Sequence, residues 1–216
     1  MKYLLWGFAL LQLLTCSNVQ KLRLESAPLF SEQTSWTSRQ FTPAYQEEDL
    51  SGTYLTKIPT ITQTHYHFTI APKEQPQSAY TIKVRRSDLA IDGFIGSSGR
   101  ALDVYLPLLQ FPLFKGKTWQ ETIRIQEHPR RAVQKIPARF EVKEVLEYDY
   151  LPNEKLGAEK KAFFILVHLP NQVLSYHYLP ADKKFPGTNI VDVYLQLDFL
   201  NANAPTMKNE VLEYQR

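Results

Sequence analysis

His65-Tyr66-His67 is the first segment whose residue types and spacing could do chemistry. On an extended strand, residues two apart face the same way, so both imidazoles point to one side. Two histidines so placed can hold one metal ion, but a catalytic zinc centre needs a third protein ligand. A carboxylate, His168 or His177 would have to supply it. Gln63 and Thr69 share the histidine face, whereas Tyr66, Phe68 and Ile70 share the other. That pattern places the histidines on the wet side of the strand. A metal-dependent secreted enzyme using His65 and His67 is therefore the third-ranked expectation. The leading one has no metal, no cofactor and no catalytic residue.

Other motifs fall short of their chemistry. Gly116-Lys117-Thr118 matches the end of a phosphate-cradling loop, but Phe111 stands where the first glycine belongs. Trp119 then opens a strand, so no helix N-terminus faces a phosphate. Gly96-Ser97-Ser98-Gly99-Arg100 fails the serine-nucleophile turn because Arg100 fills the last glycine place. His128-Pro129-Arg130-Arg131, with Lys135 and Arg139, forms a basic loop that could touch anionic lipid headgroups. Glu141, Glu144 and Glu147 offset it, which favours a solvated hairpin tip. With 25 Lys and Arg against 22 Asp and Glu, the formal charge of +3 is too small to imply nucleic acid.

The chain holds one cysteine, which excludes an intrachain disulfide framework and any Cys-rich zinc site. That residue, Cys16, ends an apolar run from Tyr3 to Leu14 that follows Met1-Lys2. Twelve helical residues reach about 18 Å against roughly 30 Å of bilayer hydrocarbon, so the run reads as a secretory leader. Leu13-Leu14-Thr15-Cys16 resembles the lipobox of bacterial lipoproteins. In that family a hydrophobic residue stands three before the cysteine and small residues fill the next two places. Leu14 is bulkier than the family's usual choice. The resemblance implies that Cys16 is acylated and becomes the first residue of the mature chain. It also implies, through Ser17, sorting to the outer membrane. A lone thiol is otherwise a liability in an oxidising compartment. Ordinary cleavage after Ser17, giving a periplasmic or secreted protein, and a retained anchor are the alternatives.

The elements that must position these residues follow from periodicity. Residues 1–15 read as the signal peptide and 16–49 as a lipidated N-terminus with a polar tether, in which Trp36, Phe41 and Tyr45 can pack back on the domain. Residues 50–216 read as an antiparallel β domain. Strands are expected near 52–58, 61–70, 80–85, 101–106, 119–126, 140–150, 163–169, 172–179 and 191–199, where apolar and polar residues alternate or run apolar. Asp92-Gly93, Gly96-Ser97-Ser98-Gly99, Lys115-Gly116 and Pro186-Gly187 read as turns. No long segment has helical periodicity. The fold class is all-β: an antiparallel sandwich, or a strongly curved sheet closed partway toward a barrel, of about nine or ten strands.

Tyr105 to Trp119 combines Pro107 and Pro112 with a cluster of Leu and Phe. Pro112-Leu113-Phe114-Lys115-Gly116-Lys117-Thr118-Trp119 is similar to a "Pro-Leu-x-x-Gly-Lys-x-Trp" stretch in uncharacterised exported bacterial proteins and lipoproteins. The resemblance implies a β-rich envelope domain and brings no catalytic residues. The stretch is either a core plug or an exposed apolar lip, for a partner or ligand, made by Leu106, Leu108, Leu109, Phe111, Leu113 and Phe114. The expected function is binding of an envelope protein partner by a lipid-anchored domain. The second-ranked expectation is a carrier of a lipid or other hydrophobic ligand, with a cavity lined by Val142, Leu146, Ile165 and Leu195.

Overall fold

In a computed structural model the chain is an all-β protein, and the structure describes residues 23–41, 52–148, 160–180 and 208–215. Its strands are β1 (Arg23–Leu24), β2 (Ser35–Phe41), β3 (Gly52–Ile61), β4 (His65–Pro72), β5 (Tyr80–Arg85), β6 (Ile91–Ile95) and β7 (Ala101–Leu106). They continue as β8 (Leu113–Phe114), β9 (Thr118–Ile125), β10 (Gln134–Tyr148), β11 (Lys160–His168), β12 (Val173–Tyr178) and β13 (Lys208–Gln215). Among the described residues the only helical turn is a 3-10 turn at Pro76–Ser78. The strand expected at 191–199 and the Pro186-Gly187 turn lie outside the described residues.

One sheet has eleven strands in the order β12-β11-β10-β9-β7-β6-β5-β4-β3-β2-β13, and a second pairs β1 with β8. Every pairing is antiparallel. From β2 to β12 the spatial order follows chain order except for β8, and β13 returns to pair with β2. Among the described residues the sheet has two edges, β12 and β13, which do not pair with each other to close a barrel.

The inner face comes from period-two alternation. Tyr66, Phe68 and Ile70 on β4 are buried, as are Ile82 and Val84 on β5, Phe140 and Val142 on β10, and Phe163, Ile165 and Val167 on β11. These side chains form one cluster reaching from Trp36 on β2 to Tyr178 on β12. One face of a sheet becomes inaccessible only when something covers it. Among the described residues the small β1–β8 sheet and its flanks are the only separate cover, which fits a curved sheet wrapped round its own core. Register shifts at Lys57/Thr60, Ile82/Val84, Asp92/Phe94, Val142/Glu144 and Val211/Glu213 bend and twist it. Pro59 falls at the first of these, where a missing amide donor breaks no ladder bond.

Two sequence expectations change, and one strand is found where none is expected. Asp92-Gly93 lies inside β6, not in a turn; Gly93 takes φ +131 at a bulge, a backbone region that favours glycine. The segment read as polar tether contributes β1 and β2 to the folded part. Trp36 is 2% exposed against Phe30 and Phe68, and β2 pairs with both β3 and β13. Thr37 and Ser38 of β2 are also buried, so polar composition concealed a strand. Finally, β13 joins the sheet from a segment without alternation.

Candidate interaction surface

The histidine strand forms as expected, and its two imidazoles share the outer face while Tyr66 and Phe68 go inward. His65 has both ring nitrogens engaged. Nδ1 is 2.8 Å from the Thr64 hydroxyl and Nε2 is 3.2 Å from an Asp92 carboxylate oxygen. The Asp92 contact is a consequence of sheet order, and the sequence gives no sign of it. Arg86 donates to the Thr62 carbonyl at 3.0 Å, tying the β3–β4 turn to the β5–β6 turn. Among the described residues no three His, Cys, Asp or Glu side chains gather at one point that could hold a metal ion. His168 and His177 sit on β11 and β12, with β5, β6, β7, β9 and β10 between them and β4. The third ligand sought from them is not brought to His65 and His67.

Partial burial lowers the affinity of His67 for a proton, and the positive charges of Lys83 and His65 add to that. Burial lowers His177 too, against an opposing pull from Glu144. Both folded-state values lie below the unfolded value near 6.5. The unfolded chain therefore binds more protons in that window, and stability rises with pH there. The contribution is complete above pH 6.5 and is lost as pH falls toward the folded values. Thermal unfolding followed from pH 7 to pH 5 should show a falling midpoint, and His67→Gln with His177→Gln should flatten that slope. An identical slope in the double variant would remove these groups as its cause.

The 105–114 stretch is a plug. Leu106, Leu108 and Leu113 are 0% exposed and Leu109 is 1% exposed, so the exposed lip proposed for these residues is absent; only Phe111 and Phe114 are half-buried. Two bonds hold the plug to the inner face. The Trp119 indole N–H donates to the Pro107 carbonyl at 3.2 Å, and the Tyr176 hydroxyl donates to the Leu108 carbonyl. Trp119 stacks on Phe140 at 4.9 Å. A second segment, 24–30, crosses nearby. Leu24, Ala27 and Phe30 join the core, and the Phe30 amide donates to the Tyr66 hydroxyl at 3.2 Å.

Of the residues named for a ligand cavity, Val142 and Ile165 are 0% exposed. A side chain lining a void large enough for water would keep accessible surface. The Leu146 side chain and Leu195 lie outside the described residues.

The outer face is polar and largely self-paired. Arg85 makes a two-pronged pair with Asp88 at 2.9 and 2.5 Å, and its charge is held more firmly by that contact. Arg85 and Arg124 both lie over the Tyr105 ring, 5.6 and 4.7 Å from its centre, and Arg124 reaches Asp103 at 3.1 Å. In the basic loop after β9, Arg131 pairs with Glu127 at 2.7 Å. Arg139, Lys143 and His168 surround Glu141 at 3.1, 3.8 and 3.5 Å.

Beside that group runs an open groove of about 420 Å³, lined by Gln120 to Thr122, Pro137 to Arg139 and His168 to Pro170. Among the described residues β11 stops pairing at Arg139, and the 134–138 stretch of β10 beside the groove pairs only with β9. Pro137, which has no N–H, helps keep that edge from extending a ladder.

The chain matches no protein-family model, no curated protein and no solved structure among known proteins. Among the described residues no helix is long and apolar enough to cross a membrane.

Proposed function

We propose that this chain is a lipid-anchored protein of the bacterial envelope, outer-membrane sorted, whose β domain binds a protein partner on its outside and performs no catalysis. The observation that carries the reading is the position of the sole cysteine. Cys16 closes an apolar leader at Leu13-Leu14-Thr15, seven residues before the first strand. Acyl chains contribute about 0.8 kcal/mol per buried CH2, so several of them hold a water-soluble domain firmly at a bilayer.

The dense core supports a partner on the outside over a ligand on the inside. Its plug residues and the inward residues Phe140, Val142, Phe163 and Ile165 are all close to zero exposure. The groove beside Arg139 and His168, with Glu121 and Gln120 on its wall, offers polar groups to a peptide segment of a partner.

Cys16→Ala tests the anchor. In a bacterial host fed a labelled fatty acid, the wild-type protein should carry label and sediment with membranes. The variant should carry none and move to the soluble fraction. Unchanged membrane retention in the variant, or an intact mass that starts after Cys16 without added hydrocarbon, would remove the anchor.

A further inference from the structure

We propose that the corner of the domain formed by β1, β8 and the 115–117 turn rests on the bilayer, with Lys115 and Lys117 against anionic phospholipid headgroups. The proposal rests on the acylation of Cys16 in the reading above. Arg23 stands seven positions after Cys16, and a fully extended chain over those seven steps reaches at most about 25 Å. A free tether over 16–49 would reach roughly five times as far. Arg23 and Leu24 are held by pairing with Phe114 and Leu113, and Ala27 beyond them is buried. The short stretch therefore brings one surface to the membrane, the one around β1.

That surface is built to present cations. Strand β8 runs into Lys115-Gly116-Lys117, where the Lys117 amide donates to the Phe114 carbonyl at 3.0 Å. The turn is pinned to β10 by Gly116 N–H to the Val142 carbonyl at 2.8 Å and by Val142 N–H to the Lys117 carbonyl at 2.9 Å. Gly116 supplies φ +86, which a lysine in its place would adopt only with strain. Arg23 packs over the Phe114 ring and is paired with Glu25 at 2.6 Å, and Lys143 lies 3.8 Å from Glu141. Lys115 is exposed and Lys117 half-buried, and no ion pair involves either among the described residues. Headgroup phosphates complement that charge.

The basic loop at His128 to Arg131, the stronger lipid candidate in the sequence, sits at the other end of β9. The eight residues of that strand span roughly 23 Å, so the loop points away from the anchored corner.

The test uses the acylated full chain in vesicles containing phosphatidylglycerol and a lipid with a nitroxide on its headgroup. Acylation consumes the Cys16 thiol, so Ser26→Cys near β1 and Arg130→Cys in the loop each give one labelling site. A fluorophore at Ser26 should lose most of its emission and one at Arg130 should keep it. Adding Lys115→Glu and Lys117→Glu, or high salt, should restore emission at Ser26. In the unacylated Cys16→Ala chain, Lys115→Gln with Lys117→Gln should weaken partition onto the same vesicles about twenty-five-fold, roughly fivefold per charge. Equal quenching at both positions would overturn the proposal. So would quenching at Ser26 that ignores the lysine changes or is equal in phosphatidylcholine alone. Emission kept at Ser26, with copies associating through that corner in sedimentation, would overturn it in favour of self-contact. Intact mass of the same sample reports acylation independently, so loss of the anchor is read apart from loss of the headgroup contact.

Discussion

Trp36→Ala is expected to lower stability by about 3–5 kcal/mol, the usual cost of truncating a large buried aromatic. Trp36 is 2% exposed, with ring centres of Phe68 and Phe30 at 5.9 and 6.5 Å. It sits on β2, which has a neighbour on each side, so loss of packing weakens two ladders. Its indole nitrogen is buried without a hydrogen-bond partner among the described residues, so the loss is one of packing alone. A domain of this size has about 5–15 kcal/mol in total, so the variant should unfold at much lower urea. Were this residue on a free tether, the change would stay within about 0.5 kcal/mol. A urea midpoint that does not move would show that β2 does not belong to the folded unit.

Leu108→Asp is the second large effect, and it separates a plug from a lip. Leu108 is 0% exposed, and burying a leucine side chain is worth about 1.5–3 kcal/mol. A carboxylate there would have to be buried unpaired or stay neutral. The variant should fail to fold at neutral pH. Burial raises the folded-state pKa of such an acid, so its penalty is smallest at low pH and grows as pH rises through the unfolded value near 4. Leu108→Ala, which adds no charge, should cost about 2–5 kcal/mol and still fold. The Tyr176 hydroxyl donates to the backbone carbonyl of residue 108, so that bond can survive either change. Near-ultraviolet circular-dichroism melts of the three proteins report the order. A Leu108→Asp protein as stable as wild type would return this stretch to the surface.

Much of the sheet is legible in the chain because alternation is a local property. Where one face of a strand is buried, every second residue is apolar, as in Phe140 and Val142 on β10 or Ile82 and Val84 on β5. What alternation misses is strands whose burial comes from neighbours. On β2, Trp36 is the one large apolar residue of the buried set, and Thr37 and Ser38 are buried beside it, so the pattern reads as polar linker. On β6, the bulge at Gly93 interrupts the period and makes a strand look like a turn. Strands β1 and β8 have two residues each, too few for any period.

The candidate site divides in the same way. That His65 and His67 share a wet face follows from their spacing. That Asp92 occupies His65 follows only from β5 and β6 being folded alongside, 27 residues on. Apolar content in the 105–114 stretch shows that it avoids water. Whether it does so inside this molecule or against another depends on the curvature of the sheet around it, and Trp119 and Tyr176 decide that by bonding to its carbonyls.

By itself the amino-acid order determined the antiparallel β class and the outward histidines, since both depend on side chains two residues apart on one strand. The tertiary structure decided that β2 belongs to the sheet, that Leu106, Leu108, Leu109 and Leu113 lie inside, and which basic turn stands beside β1. Those outcomes depend on contacts between segments far apart in the chain, which no local period encodes.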